Sequence, residues 1–279
     1  MTLGGALAGA SARLAAAGVD SPRLEAELLL ARACDDCARA LLYAELDREL
    51  TREQIDAFEA NVARRVMREP LAYILGEWGF RRLTLKTDPR ALIPRPETEV
   101  VVERALEHIR GIEEPKVLDV GTGTGAIALA IADEVRDAQV TAIDVSPDAL
   151  ALARENLELT RINGRVRLVE HDLTFGLGNA DFDLVVSNPP YVEPDELKTL
   201  QPEVRDWEPH VALVAAGATA KLAEASREAL RPGGWLVLEV ADGGAAAAGD
   251  ALTELGFTCV SRSLDLSERE RVVEGRWEP

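Results

Sequence analysis

The architecture is indicated by one segment, Lys116-Val117-Leu118-Asp119-Val120-Gly121-Thr122-Gly123-Thr124-Gly125-Ala126. A short apolar strand leads into a glycine-dense turn, and the run Ala126–Ala132 that follows favours a helix. Glycines in such a turn allow positive φ angles and a close approach of the backbone to a ligand. Gly121, Gly123 and Ala126 also satisfy a loose Gly-x-Gly-x-x-Gly/Ala dinucleotide fingerprint, which is a weak signal by itself.

A second apolar strand, Val140–Ile143, follows and ends in Asp144. An acidic residue about 20 residues after a glycine turn can accept hydrogen bonds from both hydroxyls of a ribose. The alternative role for Asp144 is a helix N-cap, for which the pair Ser146-Pro147 is better placed. The glycine turn and Asp144 therefore predict an adenosine-containing cofactor, either a nicotinamide dinucleotide or S-adenosylmethionine.

The second diagnostic motif is Asn188-Pro189-Pro190-Tyr191, which follows the apolar strand Phe182–Ser187. A residue before proline is held extended, and the prolines have no N–H, so the turn offers acceptors and few donors. Asn188 adds a side-chain carbonyl and an NH₂ group, and Tyr191 adds a flat face. A simple proline turn that closes a strand is the alternative. The combination suits a planar nitrogen that carries hydrogens, such as a carboxamide or an exocyclic amine.

Hydride transfer does not require acceptors aimed at an NH₂ group, whereas methyl transfer to such a nitrogen does. Asp119–Gly125 together with Asn188–Tyr191 resembles the class I S-adenosylmethionine-dependent methyltransferases that act on a planar nitrogen. Such motifs occur in adenine-N6 methyltransferases and in protein glutamine-N5 methyltransferases.

Further segments separate these two branches. Pro70–Phe80 followed by Leu92–Glu99 resembles the hinge of the peptide chain release factor glutamine methyltransferases, and the match is closest at Ile93–Glu99. The ribosomal-protein glutamine methyltransferases are similar but usually vary after the Pro-Arg pair in this segment. Pro202–Arg205 and Glu208-Pro209 also resemble the release-factor branch, so the resemblance spans nearly the whole chain.

The resemblance implies a specific reaction. A methyl group passes from S-adenosyl-L-methionine to the side-chain amide nitrogen (N5) of the glutamine in the Gly-Gly-Gln motif of peptide chain release factors, and S-adenosyl-L-homocysteine is the product. The alternatives are an N6-adenine DNA or RNA methyltransferase and a ribosomal-protein glutamine methyltransferase. We call the segment Asn188–Tyr191 the acceptor turn. A binding module that retains the fold without turnover would lack an intact acceptor turn, which this chain keeps.

The acceptor turn supplies the predicted catalytic residues Asn188, Pro189 and Tyr191. We expect the Asn188 side-chain oxygen and the Pro189 carbonyl to accept the two amide hydrogens of the substrate, with Tyr191 packed on the amide plane. Pro190 completes the predicted substrate-binding set. Thr98 and Glu99 are expected to be structural or to lie near the substrate.

A second set of residues is predicted to bind the cofactor. Its members are Asp119, Gly121, Thr122, Gly123, Thr124, Gly125, Asp144, Asp172, Leu173 and Asn188. The backbone of the glycine turn should pack against the methionine portion, with Asp119 near its amino group. In the family, an acidic residue at the position of Asp172 lies near the adenine and the next position is often aromatic. Here that position is Leu173, which predicts an apolar wall.

The order of elements predicts an α/β protein with three parts. Residues 1–75 have helical patterns and form an N-terminal domain for substrate docking, and residues 76–99 form a β-hairpin hinge or linker. Residues 100–279 form the S-adenosylmethionine-dependent methyltransferase domain. Its alternating strands and helices predict a seven-stranded, mostly parallel, doubly wound sheet, and the resemblance implies that the last strand is antiparallel.

The chain has a formal net charge of −18, and its longest basic runs are pairs such as Arg64-Arg65. Gripping a polyanion through its phosphates requires basic patches, so we expect no direct nucleic-acid requirement. The acidity could attract a basic release factor or could only maintain solubility. We expect a monomer whose partner is the release factor.

Targeting and redox signals are weak in this sequence. No run of 18 apolar residues occurs, and Met1–Ala10 lacks the positive flank of a signal peptide. We therefore expect a cytoplasmic protein without membrane contact. Three cysteines do not suggest a disulfide framework, and Cys34 and Cys37 lack the further ligands that a zinc site needs, so no metal is predicted.

No histidine has the surroundings of a general base. His108, His171 and His210 are expected to lie at the surface or to make local hydrogen bonds.

Overall fold

The N-terminal region of the chain is helical. The computed structural model describes residues 1–35, 39–162, 164–178, 181–214 and 217–279, except for the Leu41 side chain. The helices of this region are α1 (Leu3–Ala16), α2 (Pro22–Ala33), α3 (Arg39–Ala44), α4 (Arg52–Val66) and α5 (Leu71–Leu75).

Local signals explain where these helices begin. Pro22 occupies the first turn of α2, a position at which its missing N–H costs nothing. A capping box opens α4: Thr51 Oγ1 accepts from the Gln54 amide at 3.2 Å, and Gln54 Oε1 accepts from the Thr51 amide at 3.1 Å. Leu7 and Phe58 are fully buried, so residues 1–76 form a compact unit with an apolar core of its own.

A short hairpin follows the helices. Strands β1 (Glu77–Phe80) and β2 (Leu83–Lys86) pair in antiparallel register, as the sequence predicts. Phe80 and Leu85 are buried in the core of the second compact unit, which begins at Glu77. The hairpin therefore packs within that unit, and its role as a hinge or linker stays a prediction.

The rest of the chain alternates helices and strands. They are α6 (Pro96–Ile109), β3 (Lys116–Val120), α7 (Ala126–Glu134), β4 (Gln139–Asp144), α8 (Pro147–Thr160), β5 (Val166–Glu170), β6 (Phe182–Ser187), α9 (Pro202–Trp207), α10 (Ala218–Ala229), β7 (Leu230–Glu239), α11 (Ala245–Glu254), β8 (Phe257–Leu264) and β9 (Glu270–Trp277). Helix α6 begins at Pro96, because proline is well suited to a first helical turn.

In the described part of the chain, strands β3 to β9 form a seven-stranded sheet in the order β5-β4-β3-β6-β7-β9-β8. All neighbours are parallel except β9, which runs antiparallel to both β7 and β8. This confirms the predicted sheet with its antiparallel last strand. The chain reverses its direction of progress across the sheet between β3 and β6, and ligands of such folds bind at this switch point.

Side chains alternate between the two faces of the sheet. Val117 and Leu184 pack in the core that α6 and α7 cover, whereas Leu118 and Val185 pack in the core that α10 and α11 cover. Both faces are therefore buried, as expected for near-continuous apolar parallel strands. The carboxyl ends of β3, β4 and β6 lie at the same edge of the sheet, and the residues predicted to be functional lie at or just after these ends.

Residues 201–207, which contain α9, group with the helical unit although the sequence places them within the methyltransferase domain. The reason is a cluster of ion pairs. The Glu203 carboxylate accepts hydrogen bonds from Nε and Nη2 of Arg68 at 2.7 and 2.6 Å. It also forms an ion pair with Nη2 of Arg65 at 2.7 Å. A bidentate arginine–carboxylate pair has a fixed geometry and holds α9 in place.

Candidate active site

The glycine turn that follows β3 requires its glycines. Gly121, Gly123 and Gly125 have φ angles of 72°, 56° and 84°, which other residues rarely adopt. The amides of Gly121 and Thr122 donate to the Ile143 carbonyl at 2.9 and 3.0 Å, so β4 supports the turn. The turn residues Gly121 to Thr124 line a cavity with a volume of about 280 Å³.

The Asp119 side chain supports the glycine turn through hydrogen bonds. Its Oδ2 accepts from the Thr122 hydroxyl at 2.6 Å and from the Ala128 amide at 3.2 Å. The side chain is fully buried, and burial raises the pKa of Asp119 to about 7. Asp119 does not line the cavity, so the structure gives it a supporting position, and its contact with the cofactor amino group stays a prediction.

Asp144 lines the cavity at the end of β4. Its Oδ2 accepts from the Gly123 amide at 2.8 Å, and its Oδ1 accepts from the Ser146 amide at 2.9 Å. Each carboxylate oxygen keeps a further lone pair for a ligand hydroxyl. Burial raises the pKa of Asp144. The helix cap of α8 is made by Ser146, whose hydroxyl accepts from the Ala149 amide, as the sequence predicts.

One residue that the sequence analysis missed braces the turn from α8. Asn156 is fully buried, and its Nδ2 donates to the Thr124 carbonyl at 2.9 Å. The same side chain exchanges hydrogen bonds with the backbone of Lys86, at 2.7 and 3.1 Å. The glycine turn and the β-hairpin are therefore tied to one helix. A lone asparagine within an amphipathic helix gives little warning of this role.

The acceptor turn lies at the same cavity. Asn188, Pro189 and Pro190 line it together with the glycine turn and Asp144. The buried Ser187 hydroxyl donates to the Val120 carbonyl at 2.6 Å, so the ends of β6 and β3 are held side by side. The structure therefore brings together the two motifs, which lie more than sixty residues apart in sequence.

A buried polar network supports Asn188. Its Nδ2 donates to Thr98 Oγ1 at 3.1 Å, and the Thr98 hydroxyl donates to Glu239 Oε2 at 2.6 Å. The Tyr191 hydroxyl donates to the other oxygen, Glu239 Oε1, at 3.2 Å. Burial raises the pKa of both Glu239 and Tyr191. The sequence analysis missed Glu239 and left Thr98 without an assigned partner.

The network also determines where Tyr191 lies. Its side chain is half-buried and anchored at Glu239, and it is not among the residues that line the cavity. The predicted packing of Tyr191 on the substrate amide stays a prediction.

The end of β5 forms the far side of the cavity. Asp172 Oδ1 accepts from the Thr174 amide at 2.8 Å, and this hydrogen bond lowers the pKa of Asp172. Leu173 lines the cavity with a half-buried side chain, at the place where the sequence predicts an apolar wall. His171 also lines it, but its Nε2 lies 2.6 Å from the Gly176 carbonyl, a local hydrogen bond.

Arg95, at the start of α6, contributes a cationic group to the cavity wall. Its Nη2 donates to Glu208, whose side chain is almost completely buried. Burial raises the pKa of Glu208, while the Arg95 guanidinium acts in the opposite direction. Arg95 is thereby fixed with about a third of its side chain exposed.

The remaining candidates lie away from the cavity. His108 stacks on Trp235 with ring centroids 3.7 Å apart. Cys34 is buried at the end of α2, and Cys37 lies outside the described residues. No group of His, Cys, Asp and Glu in the described residues could hold a metal ion, and no described helix is long and apolar enough to span a membrane.

The sheet and its helices have the fold of known methyltransferases. The structure is similar to a methyltransferase from Pyrococcus furiosus, with a TM-score of 0.51 and 19% identity over 79% of this chain and 98% of that chain. The methyltransferase small domain family matches residues 98–203, and the PrmC N-terminal domain family matches residues 5–76.

Two relatives narrow the class. The release factor glutamine methyltransferase of Geobacter sulfurreducens is 42% identical over 94% of this chain and 92% of its own length. That of Deinococcus radiodurans is 43% identical over 99% of both chains. The chain therefore belongs to the release factor glutamine methyltransferase family.

Proposed function

We propose that this protein methylates the side-chain amide nitrogen (N5) of the glutamine in the Gly-Gly-Gln motif of peptide chain release factors, with S-adenosyl-L-methionine as the methyl donor. Membership of the family supports the reaction class. The observation that carries the residue-level proposal is that the Asn188-Pro189-Pro190 turn and the glycine turn line one cavity.

The residues present fit the cofactor. No heavy atom lies within 4 Å of the position that a Cβ on Gly121 would occupy, so the turn leaves room for a ligand against its backbone. Asp144 would accept hydrogen bonds from the ribose hydroxyls, and Leu173 would form an apolar wall beside the adenine. When bound, S-adenosyl-L-methionine supplies an electrophilic methyl group on a sulfonium.

The difficulty of the reaction lies in the nucleophile. A carboxamide nitrogen delocalises its lone pair into its carbonyl, so it attacks poorly. In our proposal the Asn188 Oδ1 and the Pro189 carbonyl accept the two N–H groups of the substrate amide, which fixes the nitrogen toward the methyl group. The same two oxygens stabilise positive charge as it develops on the nitrogen, which is electrostatic preorganisation.

The reaction releases one proton from the methylated nitrogen. A protonated N-methyl amide is a strong acid, so water can accept this proton and no dedicated base is required. This agrees with the position of His171, whose Nε2 lies 2.6 Å from the Gly176 carbonyl.

The helical unit is proposed to take part in docking the release factor. The net charge of −18 favours association with a basic protein surface over a polyanion. We also propose that the enzyme acts as a monomer in the cytoplasm, where release factors take part in translation, and that it needs no nucleic acid.

The proposal is tested by incubating the enzyme with labelled cofactor and one of three acceptors: a release factor, a ribosomal protein or duplex DNA. We expect label in the release factor, and mass spectrometry should place one methyl group on the Gly-Gly-Gln glutamine. A release factor carrying Glu in place of that glutamine is the matched control and should stay unlabelled. Label in DNA or in the ribosomal protein, with none in the release factor, would overturn the proposal.

A further inference from the structure

Asn188 is the first member of a hydrogen-bond chain that leads into the protein interior. Asn188 Nδ2 lies 3.1 Å from Thr98 Oγ1, and Thr98 Oγ1 lies 2.6 Å from Glu239 Oε2. Thr98 is 4% exposed and Glu239 is 1% exposed, so solvent does not compete for these groups. In such surroundings an unsatisfied donor or acceptor is costly, and hydrogen-bond directions are strongly constrained.

The direction of each bond follows from the groups involved. The Thr98 hydroxyl is directed at Glu239 Oε2; in its ionised form this carboxylate only accepts, so the hydroxyl directs its single proton to Glu239. The Thr98 oxygen can then only accept from Asn188, and only the NH₂ end of an asparagine amide donates. The amide of Asn188 is therefore held with Nδ2 toward Thr98 and with Oδ1 at the opposite end of the amide plane.

This orientation is the one that the reaction requires. If the Asn188 amide were reversed, it would present an NH₂ group to the NH₂ group of the substrate, and neither could accept. We infer that Glu239, acting through Thr98, is a positioning residue that fixes which end of the Asn188 amide faces the methyl acceptor. The inference rests on the proposed function, because it assigns a direction to the acceptor that the proposal requires.

Glu239 holds a second element of the acceptor turn at the same time. The Tyr191 hydroxyl donates to Glu239 Oε1 at 3.2 Å, so one carboxylate binds both ends of the Asn188–Tyr191 segment, directly at Tyr191 and through Thr98 at Asn188. Glu239 is the last residue of β7, and Thr98 lies in the first turn of α6. The turn is thus positioned by two elements of the scaffold, which favours precise geometry.

The test compares Thr98→Val, which removes the hydroxyl at nearly constant volume, with Thr98→Ser, which retains it. We expect Thr98→Val to lower kcat by about 10- to 100-fold, the effect of one lost hydrogen bond to a positioned group. Cofactor affinity should stay close to that of the wild type, whereas the melting temperature should fall because the buried Glu239 Oε2 loses its partner. Thr98→Ser should retain kcat within about threefold. Glu239→Met, which leaves the Thr98 proton free to reverse the chain, should behave like Thr98→Val.

Two readouts separate positioning from a purely structural role. In a double-mutant cycle, Thr98→Val should have almost no effect on kcat in an Asn188→Ala background, because Thr98 acts through Asn188. The side-chain ¹⁵N–¹H₂ signals of Asn188, assigned by their absence from Asn188→Ala, should shift in Thr98→Val and Glu239→Met but stay in place in Thr98→Ser.

The outcomes distinguish this inference from the proposed function. A wild-type enzyme that fails to methylate the release factor would contradict the proposed function, whereas the Asn188 signals would still report the hydrogen-bond chain. A wild-type enzyme that methylates the release factor, together with unchanged kcat and unchanged Asn188 signals in Thr98→Val, would overturn the inference alone.

Discussion

The Gly123 amide donates a 2.8 Å hydrogen bond to Oδ2 of Asp144. The glycine turn after β3 and the carboxylate after β4 are therefore one structural unit. The carboxylate that would bind the ribose also fixes the backbone against which the rest of the cofactor would pack. Loss of Asp144 should accordingly affect cofactor binding in two ways at once.

Asp144→Ala is expected to weaken cofactor binding by about 10- to 100-fold, since hydrogen bonds to a charged group contribute about 1.5–3 kcal/mol. Isothermal titration calorimetry measures this directly. Asp148→Ala is the matched control, because Asp148 is exposed in the first turn of α8 and does not line the cavity. Equal affinities for Asp144→Ala and the wild type would refute the assigned role of Asp144.

Two glycines of the turn should respond differently to alanine. A Cβ on Gly125 would lie 3.2 Å from Leu129 Cδ1 at a φ of 84°, so Gly125→Ala should lower the free energy of unfolding by about 1–3 kcal/mol. A Cβ on Gly121 would meet no atom, so Gly121→Ala should be destabilised by about 1 kcal/mol from backbone strain alone.

The larger effect of Gly121→Ala is expected on cofactor affinity, because Gly121 lines the cavity and Gly125 does not. Denaturant titration and calorimetry on both variants test the contrast. Gly79→Ala is the control, with open space around the new methyl group and no left-handed φ angle. If Gly125→Ala weakens cofactor binding more than Gly121→Ala does, the proposed contact between Gly121 and the cofactor is wrong.

The lowered pKa of Glu274 makes the free energy of unfolding depend on pH. It lies on β9 and is almost fully buried. Burial acts to raise its pKa, but the His108 ring 3.2 Å away and hydrogen bonds from Arg104 and Ser261 prevail and lower the pKa of Glu274 to about 2. Because the folded-state pKa is below the ordinary value of 4.5, the stabilisation is complete above pH 4.5 and is lost as the pH falls toward about 2.

Glu274→Gln removes this titration. The variant should be less stable than the wild type near neutral pH, and the gap should narrow by about 2 kcal/mol between about pH 6 and about pH 3. Denaturant unfolding at several pH values measures the gap. Glu270→Gln, at an exposed position of the same strand, should show little change. A gap that is constant over this pH range would contradict the account of Glu274.

The sequence predicted those parts of the site that depend on local backbone chemistry. These parts are the glycines with positive φ angles, Asp144 at the end of its strand and the prolines after Asn188. Each of them depends only on residues close to it in sequence. Parallel strands then bring their carboxyl ends to one edge of the sheet, so the motifs could be placed together before the structure was known.

The supporting residues could not be predicted in this way. Thr98 and Glu239 are 141 residues apart, and neither shows its partner in any periodic pattern. Asp119 is predicted to contact the cofactor, and its supporting hydrogen bonds from the Thr122 hydroxyl and from Ala128 on α7 have no local sequence signal. Long-range pairing and the face of a strand are set by tertiary packing, which local patterns do not contain.

The grouping of α9 with the helical unit has no local sequence signal for a similar reason. Nothing near Glu203 in the sequence identifies Arg65 and Arg68 as its partners. An insertion that returns to an earlier unit of the chain is visible only when such contacts are known.

The central claim is that the Asn188 side chain accepts a hydrogen bond from the amide that is methylated. The most direct measurement is the steady-state kcat of Asn188→Ala with a release factor, together with its dissociation constant for the cofactor. We predict that kcat falls by at least about 100-fold, as for loss of one preorganised group at a charge-developing atom, while the dissociation constant changes by less than about threefold. A kcat close to that of the wild type would contradict the account.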